Sequence, residues 1–519
     1  MVLLARSSAA VASGILLVLS FPLADQGWLA FVALLPLLLA LRGAGSRDAA
    51  RLGFLTGIVF FGGLLSWLIG VMVRYGGLPH VVGGAILLLL VAYLALYVMI
   101  FAAILGAGLA RSGPVAYLAA PFVWVGLELL RGRLLTGFPW GVLGATQWRH
   151  AALLAPSSLG GVALVSGMVV AVNAALALLL TRGARRSARF ASVVPLALVG
   201  VAALWGRGAV ARLPQGDGEA IPVAAIQANV PQDRKWHPEE EDAIVSRLLD
   251  LSGRAAGGGA RLLLWPESSS PLSYYRPAGE GALPMPLEPQ RAEADRVAAF
   301  VREKGVTLVA GAVQYRQVGG RMRAYNSAFV SRPDGGPGDS YDKVHLVPFG
   351  EYVPLQRLLF FVNRMVQGAV AEFEAGESLE PLHTPFGDAG TLICYEVIFP
   401  GQVRRVARAG FLVNLTNDAW FGHSAAPHQH LALAVARAAE NHRWMARAAN
   451  TGISAIVDPS GRVVAETPLE EERVLQGTIH ARADTTPYAA HGDVFGWACV
   501  IFAGFAGLGW RAWSRRRGD

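Results

Sequence analysis

Cysteine is nearly absent, with two residues in 519. That excludes a disulfide-stapled fold and a four-cysteine metal site, and no CxxC motif offers a redox pair. HExxH is missing as well, which removes the commonest zinc-hydrolase signature. No glycine-rich phosphate loop follows a strand: Gly257-Gly258-Gly259 stands between a helical stretch and a strand, as a connector. His423, His428 and His430 form the one cluster resembling metal ligands, but no cysteine or carboxylate joins it at a familiar spacing. They read as surface residues on a polar loop entering a helix, and neither a metal nor a cofactor is expected. Charge is scarce too. Charged residues make up 16% and hydrophobic ones 53%, a balance that a soluble chain of this length rarely reaches. Part of the chain must face lipid.

Apolar runs of bilayer-spanning length recur at 8–24, 27–43, 52–72, 81–107, 115–130, 159–181, 191–207 and 494–511. A cleaved signal peptide would be followed by polar sequence, whereas here a second run begins just after Ala24-Asp25-Gln26, so about eight transmembrane helices are expected. The net charge of +8 comes mostly from arginine, and its placement decides its meaning. Arg6, Arg42, Arg47, Arg51, Arg111, Arg182, Arg185, Arg186, Arg189, Arg511, Arg515, Arg516 and Arg517 fall on one side of eight alternating spans, with Arg74 on the other. This predicts cytoplasmic termini rather than nucleic-acid binding. Arg131, Arg133 and Arg149 run against the trend. With Gly137-Phe138-Pro139-Trp140 and Gln147-Trp148 they predict an external, interfacial loop touching headgroups or substrate, an ordinary aromatic belt being the alternative. Glu128, near a span end, reads as functional or as snorkelling to the interface.

Residues 212–488 have ordinary globular composition and follow seven expected spans. The chain therefore divides into a membrane part (1–211), an extracytoplasmic domain (212–488) and a last span with a basic tail (489–519). Short apolar runs at 221–226, 262–265, 306–309 and 411–415 predict buried strands, while 238–255, 289–304 and 428–446 predict amphipathic helices. Residues 453–464 predict a hairpin turning on Pro459-Ser460-Gly461. This alternation argues for a layered α/β fold.

Cys394 stands just past an apolar β-like run, in Gly390-Thr391-Leu392-Ile393-Cys394-Tyr395-Glu396, while Cys499 lies in the last apolar run. A thiol is mostly protonated at neutral pH and needs a base or a cation to act as a nucleophile. Glu267, in Trp265-Pro266-Glu267 at a strand end, is the candidate base, taking the thiol proton and returning it to the leaving group. Lys343, in Asp342-Lys343-Val344-His345, is the candidate cation for a thiolate and an oxyanion. Glu351 and Glu396 are candidates to orient the lysine or tune Glu267. Taken singly, glutamates and lysines belong to solvated faces and a buried cysteine acts as a small hydrophobe. Only the set points to covalent catalysis.

Trp265-Pro266-Glu267, the run from Lys343 to Pro354, Ile393-Cys394-Tyr395-Glu396 and the run from Asn414 to Gly422 together resemble the nitrilase, or carbon–nitrogen hydrolase, superfamily. The order Glu, Lys, Cys matches its catalytic triad. With seven apolar runs before this segment and one after, the chain is similar, more narrowly, to the apolipoprotein N-acyltransferase family of the bacterial envelope. The resemblance implies an αββα sandwich above a membrane α-helical bundle, with Glu267, Lys343 and Cys394 catalytic and Glu351 supporting them. It places Tyr395 and Glu396 along the site, and Trp236, Asn326, Trp420 and Phe421 at the substrate or on lid segments, packing in a core or at the membrane interface being the other reading of the aromatics. It further implies a ping-pong reaction in the inner membrane, with the soluble domain periplasmic. A phospholipid, typically phosphatidylethanolamine, would acylate Cys394, and the α-amine of a diacylglyceryl apolipoprotein would accept the acyl group. Nothing requires a partner subunit, so a monomer is expected. The stretch from Leu355 to Val362 predicts a lid or a lipid-contacting arm. A membrane-anchored amidase hydrolysing a C–N bond shares the same triad and stays open. A transporter or scaffold is disfavoured, because intramembrane charge pairs and broken-helix signals are sparse in the sequence.

Overall fold

The computed structural model describes residues 2–181, 186–216, 218–269, 288–318, 321–352 and 373–517. Among the described residues twelve strands occur: β1 (Ala220–Gln227), β2 (Leu262–Trp265), β3 (Thr307–Val318), β4 (Arg321–Ser331), β5 (Pro337–Asp342), β6 (Leu382–Thr384), β7 (Gly387–Ile393), β8 (Phe411–Thr416), β9 (Met445–Ala449), β10 (Ala455–Val457), β11 (Val463–Glu466) and β12 (Arg473–His480). They form two six-stranded sheets, ordered β12-β1-β2-β3-β4-β5 and β11-β10-β9-β8-β7-β6. At the heart of each sheet three strands run parallel, β1-β2-β3 and β7-β8-β9, with antiparallel neighbours outside them.

Side-chain alternation explains the layering. Ile221, Val223 and Ala225 of β1 join Leu262, Leu264, Val413 and Leu415 between the sheets, while Ala224 and Ile226 face outward onto helices. Burying such aliphatic side chains contributes about 1.5–3 kcal/mol each, which lets the sandwich stand without cross-links. Helices Glu241–Gly257 and Glu288–Lys304 cover the first sheet through Ile244, Leu248, Leu251, Val297 and Val301. Helices Pro400–Val406 and Ala426–Asn441 cover the second through Val403, Leu431 and Val435. The αββα order matches expectation, as does the hairpin β10–β11, whose turn is held by Asp458 accepting from the Ser460 and Arg462 N–H groups. One helix ends earlier than predicted. It stops at Asn441, because His442 takes a left-handed backbone (φ 48°) and Met445–Ala449 becomes the fully buried strand β9.

Helix is present in every one of the eight apolar runs, but not at uniform length. Among the described residues four stretches are long and apolar enough to cross a membrane: Val2–Ser20, His80–Arg131, Val162–Leu180 and Val193–Arg212. Ser46–Leu64 with Leu68–Arg74, bent by 52°, makes a fifth if counted as one span. Gly27–Ala40, Ala151–Gly160 and Val494–Gly509 are shorter apolar helices, so by length and composition the described residues do not confirm the expected count of eight. The run at 27–43 falls short because it breaks into Gly27–Leu29, Ala30–Ala33 and Leu35–Ala40, with Pro36 lacking a backbone donor. Close packing of Ser46–Leu64 on His80–Ser112 depends on Gly53 and Gly57: a Cβ at either would come within 2.7 Å of the facing helix, the small-residue contact that membrane helices favour.

The 131–150 segment corrects the sequence reading in part, since Arg133 and Arg149 are exposed as expected. Rather than lying at the surface, Trp140, Gln147 and Trp148 are buried. Arg131 is buried with them, donating to the carbonyls of Phe138 (3.2 Å) and Gly141 (3.3 Å). Glu128 does not snorkel; it accepts from Leu143 N (2.8 Å) and Trp124 Nε1 (3.3 Å). An unpaired charge here would cost several kcal/mol, so the segment folds inward to supply partners. Trp140 then donates to Gln429 Oε1 (2.7 Å) on helix Ala426–Asn441, and Gln429 Nε2 donates back to the carbonyls of Pro22 and Leu64. The apolar helices and the sandwich thus share one core.

Candidate active site

Three loops meet at the ends of strands from both sheets. Glu267 stands two residues beyond β2, Lys343 directly follows β5, and Cys394 directly follows β7. Trp265 fixes the first loop by donating to Ser252 Oγ (2.9 Å). Gly311 lets that loop cross β3, since a Cβ there would come 2.5 Å from the Pro266 carbonyl and 2.7 Å from Glu267 Cα. Cys394 opens the short 3-10 helix Cys394–Ile398 with a left-handed backbone, φ 50°, a strained turn of the kind that presents a nucleophile.

Lys343 Nζ donates to Glu267 Oε1 (3.0 Å) and Glu351 Oε1 (2.9 Å). Asn326 Nδ2 bridges the same two oxygens at 2.7 and 2.9 Å, while its buried Oδ1 has no partner among the described residues. Glu267 Oε2 accepts from Asn417 N (2.9 Å), and Glu351 Oε2 from Val347 N (2.8 Å). Burial raises the Glu267 pKa, but Lys343, Asn326 and Lys235 outweigh it and hold the carboxyl below the ordinary glutamate range. Burial lowers the Lys343 pKa, yet Glu267 and Glu351 carry it well above its usual value. The pair is ionic. Burial and the Glu267 charge push the Cys394 thiol up against the opposing pull of Lys343, so at rest the thiol is neutral and Glu267 is a carboxylate.

Glu396 corrects its expected part. Fully buried, it reaches neither Lys343 nor Glu267 by a hydrogen bond; it accepts from Ile393 N (2.8 Å), Val344 N (2.8 Å), His345 N (3.1 Å), Tyr341 Oη (2.9 Å) and Gln402 Nε2 (2.6 Å). One carboxyl group thereby ties the Lys343 loop to the Cys394 turn. Glu396→Ala strands these donors at about 1–3 kcal/mol each. The expected outcome is a loss of about 3 kcal/mol or more, read as a lower thermal midpoint in detergent, with Cys394 reactivity falling in parallel.

A family profile described as carbon–nitrogen hydrolase matches residues 222–488, and one described as the apolipoprotein N-acyltransferase N-terminal domain matches residues 13–175. The apolipoprotein N-acyltransferase of Geobacter metallireducens is 41% identical over 502 residues, 95% of this chain and 93% of its own. That of Methylococcus capsulatus is 38% identical over 522 residues, 98% and 96% of the two chains. The chain belongs to the apolipoprotein N-acyltransferase family. Among solved structures, Nit3 of Saccharomyces cerevisiae, a nitrilase-superfamily member, is 22% identical with a TM-score of 0.38, covering 50% of this chain and 90% of its own.

For this member of the apolipoprotein N-acyltransferase family, the remaining predicted residues divide between the site and its rim. Asn326 lies in the buried cluster. Tyr395 packs edge-on against Phe399 (5.1 Å) and His345 (5.9 Å). Trp236 is half exposed beside the site. Trp420 sits edge-on to Tyr75 (5.0 Å), whose hydroxyl donates to the Ala419 carbonyl (2.9 Å). Phe421 packs among Trp67 (4.9 Å), Trp140 and His430. Both aromatics therefore join the bent helix of the membrane part to the sandwich. The predicted arm at 355–362 lies outside the described residues.

Sequence reasoning missed two features. His430 is not on the surface: wholly buried, it places Nε2 3.2 Å from the Cys394 carbonyl and Nδ1 3.0 Å from Asp418 Oδ1, with Arg447 Nη2 on the same Asp418 at 2.7 Å. No metal-ligand group occurs among the described residues. The second is Lys235, also buried, whose Nζ donates to the Glu267 carbonyl (3.1 Å) and lies 5.6 Å from the Trp236 ring. Its signal was its place next to Trp236.

Proposed function

We propose that the chain transfers a fatty acyl group from a phospholipid, through a thioester on Cys394, to the N-terminal α-amine of a diacylglyceryl apolipoprotein. The observation that carries this reading is the buried Glu267–Lys343 pair beside Cys394, built on a sandwich that shares its core with apolar helices. Glu267 takes the thiol proton as sulfur attacks the ester carbonyl. Lys343 and backbone N–H groups beyond Cys394 hold the oxyanion. Collapse breaks the ester C–O bond, and Glu267 passes its proton to the departing lysophospholipid oxygen. In the second half-reaction the amine attacks the thioester, Glu267 accepts its proton, and the C–S bond breaks to return the thiol. Glu351 and Asn326 keep the pair aligned.

The same reading divides the protein into membrane (1–211), periplasmic catalytic (212–488) and final-span (489–519) portions, in the inner membrane with both termini cytoplasmic. Arg6 Nη2 donating to the Arg42 carbonyl (2.8 Å), and Arg111 Nη1 to the Gly509 carbonyl (3.0 Å), support grouping these arginines on one side.

Labelled phosphatidylethanolamine, with and without a diacylated lipopeptide bearing a free α-amine, tests the reading. Label appearing in the lipopeptide as an amide supports transfer, whereas free fatty acid as the sole product in both arms favours the hydrolase. A pH profile adds a second check. With Glu267 held below the ordinary glutamate value of about 4.3, single-turnover acylation should show no acid limb near pH 6.5. A limb there would point to a histidine base instead.

A further inference from the structure

Three lysines occur in the whole chain, Lys235, Lys304 and Lys343, against a total of 45 basic residues. Lys304 is a surface residue paired with Glu303 at a helix end. The other two are buried at the same site. In a sequence that otherwise uses arginine, a compact point charge on a flexible stem stands at both of these buried places. Lys343 bonds two carboxylates, whereas Lys235 bonds a backbone carbonyl.

Charge balance makes Lys235 more than a packing residue. Lys343 is shared between two carboxylates, Glu267 and Glu351, so that hydrogen-bonded trio carries one net negative charge. When Glu267 takes the thiol proton, that single negative charge stays in the same low-dielectric volume but moves onto the sulfur and then the attacked carbonyl oxygen, where leaving it unbalanced is costly. Lys235, on the backbone of Glu267, is the one further cation directly on this cluster among the described residues. Its neighbours are the Glu267 carbonyl and the face of Trp236.

We propose that Lys235 is the second cation of the catalytic centre: its ammonium neutralises the Glu267–Lys343–Glu351 cluster and so stabilises the negative charge that develops at Cys394 and on the attacked carbonyl oxygen. This rests on Cys394 being the nucleophile. Trp236 follows in the chain and covers the ammonium with its ring, shielding the charge from water and keeping its field on the site. Burial draws the Lys235 pKa down to about 8, opposed by Glu267 and Cys394. The charge is present at neutral pH and is lost as pH rises past that value.

The test uses the full-length enzyme in detergent with phosphatidylethanolamine, following acyl mass on the Cys394 peptide in single turnovers and, separately, iodoacetamide alkylation of that peptide against pH. Lys235→Met should slow acylation about a hundredfold and move the alkylation midpoint upward by about one pH unit, with Lys235→Arg within about tenfold of the parent. Lys235→Arg should also move the alkaline limb of acylation upward from near pH 8, because guanidinium does not deprotonate there. An unmoved alkylation midpoint in Lys235→Met overturns the proposal. So does an unmoved alkaline limb in Lys235→Arg, which remains informative even if the methionine variant fails to fold. Absence of any Cys394 adduct in the parent enzyme would instead refute the nucleophile assignment.

Discussion

With Cys394 replaced by alanine, acyl transfer is expected to fall by about 10⁵-fold or more, the scale on which removing a covalent nucleophile acts. Stability should hardly move. The thiol is neutral at rest, the hydrogen bond lost is that with Thr416, which keeps its bond to Asp418, and alanine meets the same left-handed backbone that cysteine already occupies. The combination is diagnostic: a folded protein with a normal thermal midpoint and no transfer of label from phospholipid to lipopeptide. A residue whose part was packing would lose stability first. Cys499, the other cysteine, lies in the last apolar helix, where a Cys499→Ala control should keep activity.

The second large effect follows from Lys343. Lys343→Met leaves Glu267 and Glu351 as two buried carboxylates on one asparagine amide, and removing one partner from a buried ion pair costs about 3–5 kcal/mol. Acyl transfer should be lost with it, since the oxyanion loses its cation. The pH dependence of stability should also change sign. In the parent, Glu267 has a depressed folded pKa, so its contribution is present above the unfolded value of about 4.3 and is lost as pH falls through the folded one. In the variant the two carboxylates share a proton, which raises one folded pKa above the unfolded value, and stability falls as pH rises through it. Thermal midpoints in detergent at about pH 5 and pH 8 separate the cases. The variant should be relatively more stable in acid and the parent should not.

What the sequence discloses follows the reach of the interactions involved. Strand and helix alternation in residues 220–480, the hairpin at 453–464 and the motifs around Glu267, Lys343 and Cys394 are local patterns, readable from neighbours in the chain. Partnerships across the fold are not. Asn417 N meets Glu267 from 150 positions away, and Trp140 meets Gln429 from 289 away. The sequence reading therefore put the Trp140 loop at the membrane interface, where aromatic belts form, and His430 at the surface with other polar loop residues. It grouped Glu396 with the catalytic set because it stands beside Cys394, although its carboxyl group accepts from three backbone N–H groups and from Tyr341 and Gln402 rather than from the lysine. The bend after Leu64 escaped notice because no proline marks it. Lys235 was visible only as the residue before Trp236. The scarcity of lysine would have singled it out.

The most direct measurement is mass mapping of the protein after brief exposure to phosphatidylethanolamine, quenched before any amine acceptor is added. One fatty-acyl mass on the Cys394 peptide is predicted, labile to neutral hydroxylamine and discharged onto a diacylated lipopeptide when that is supplied. No adduct, an adduct on another residue, or one that persists in Cys394→Ala would contradict the account.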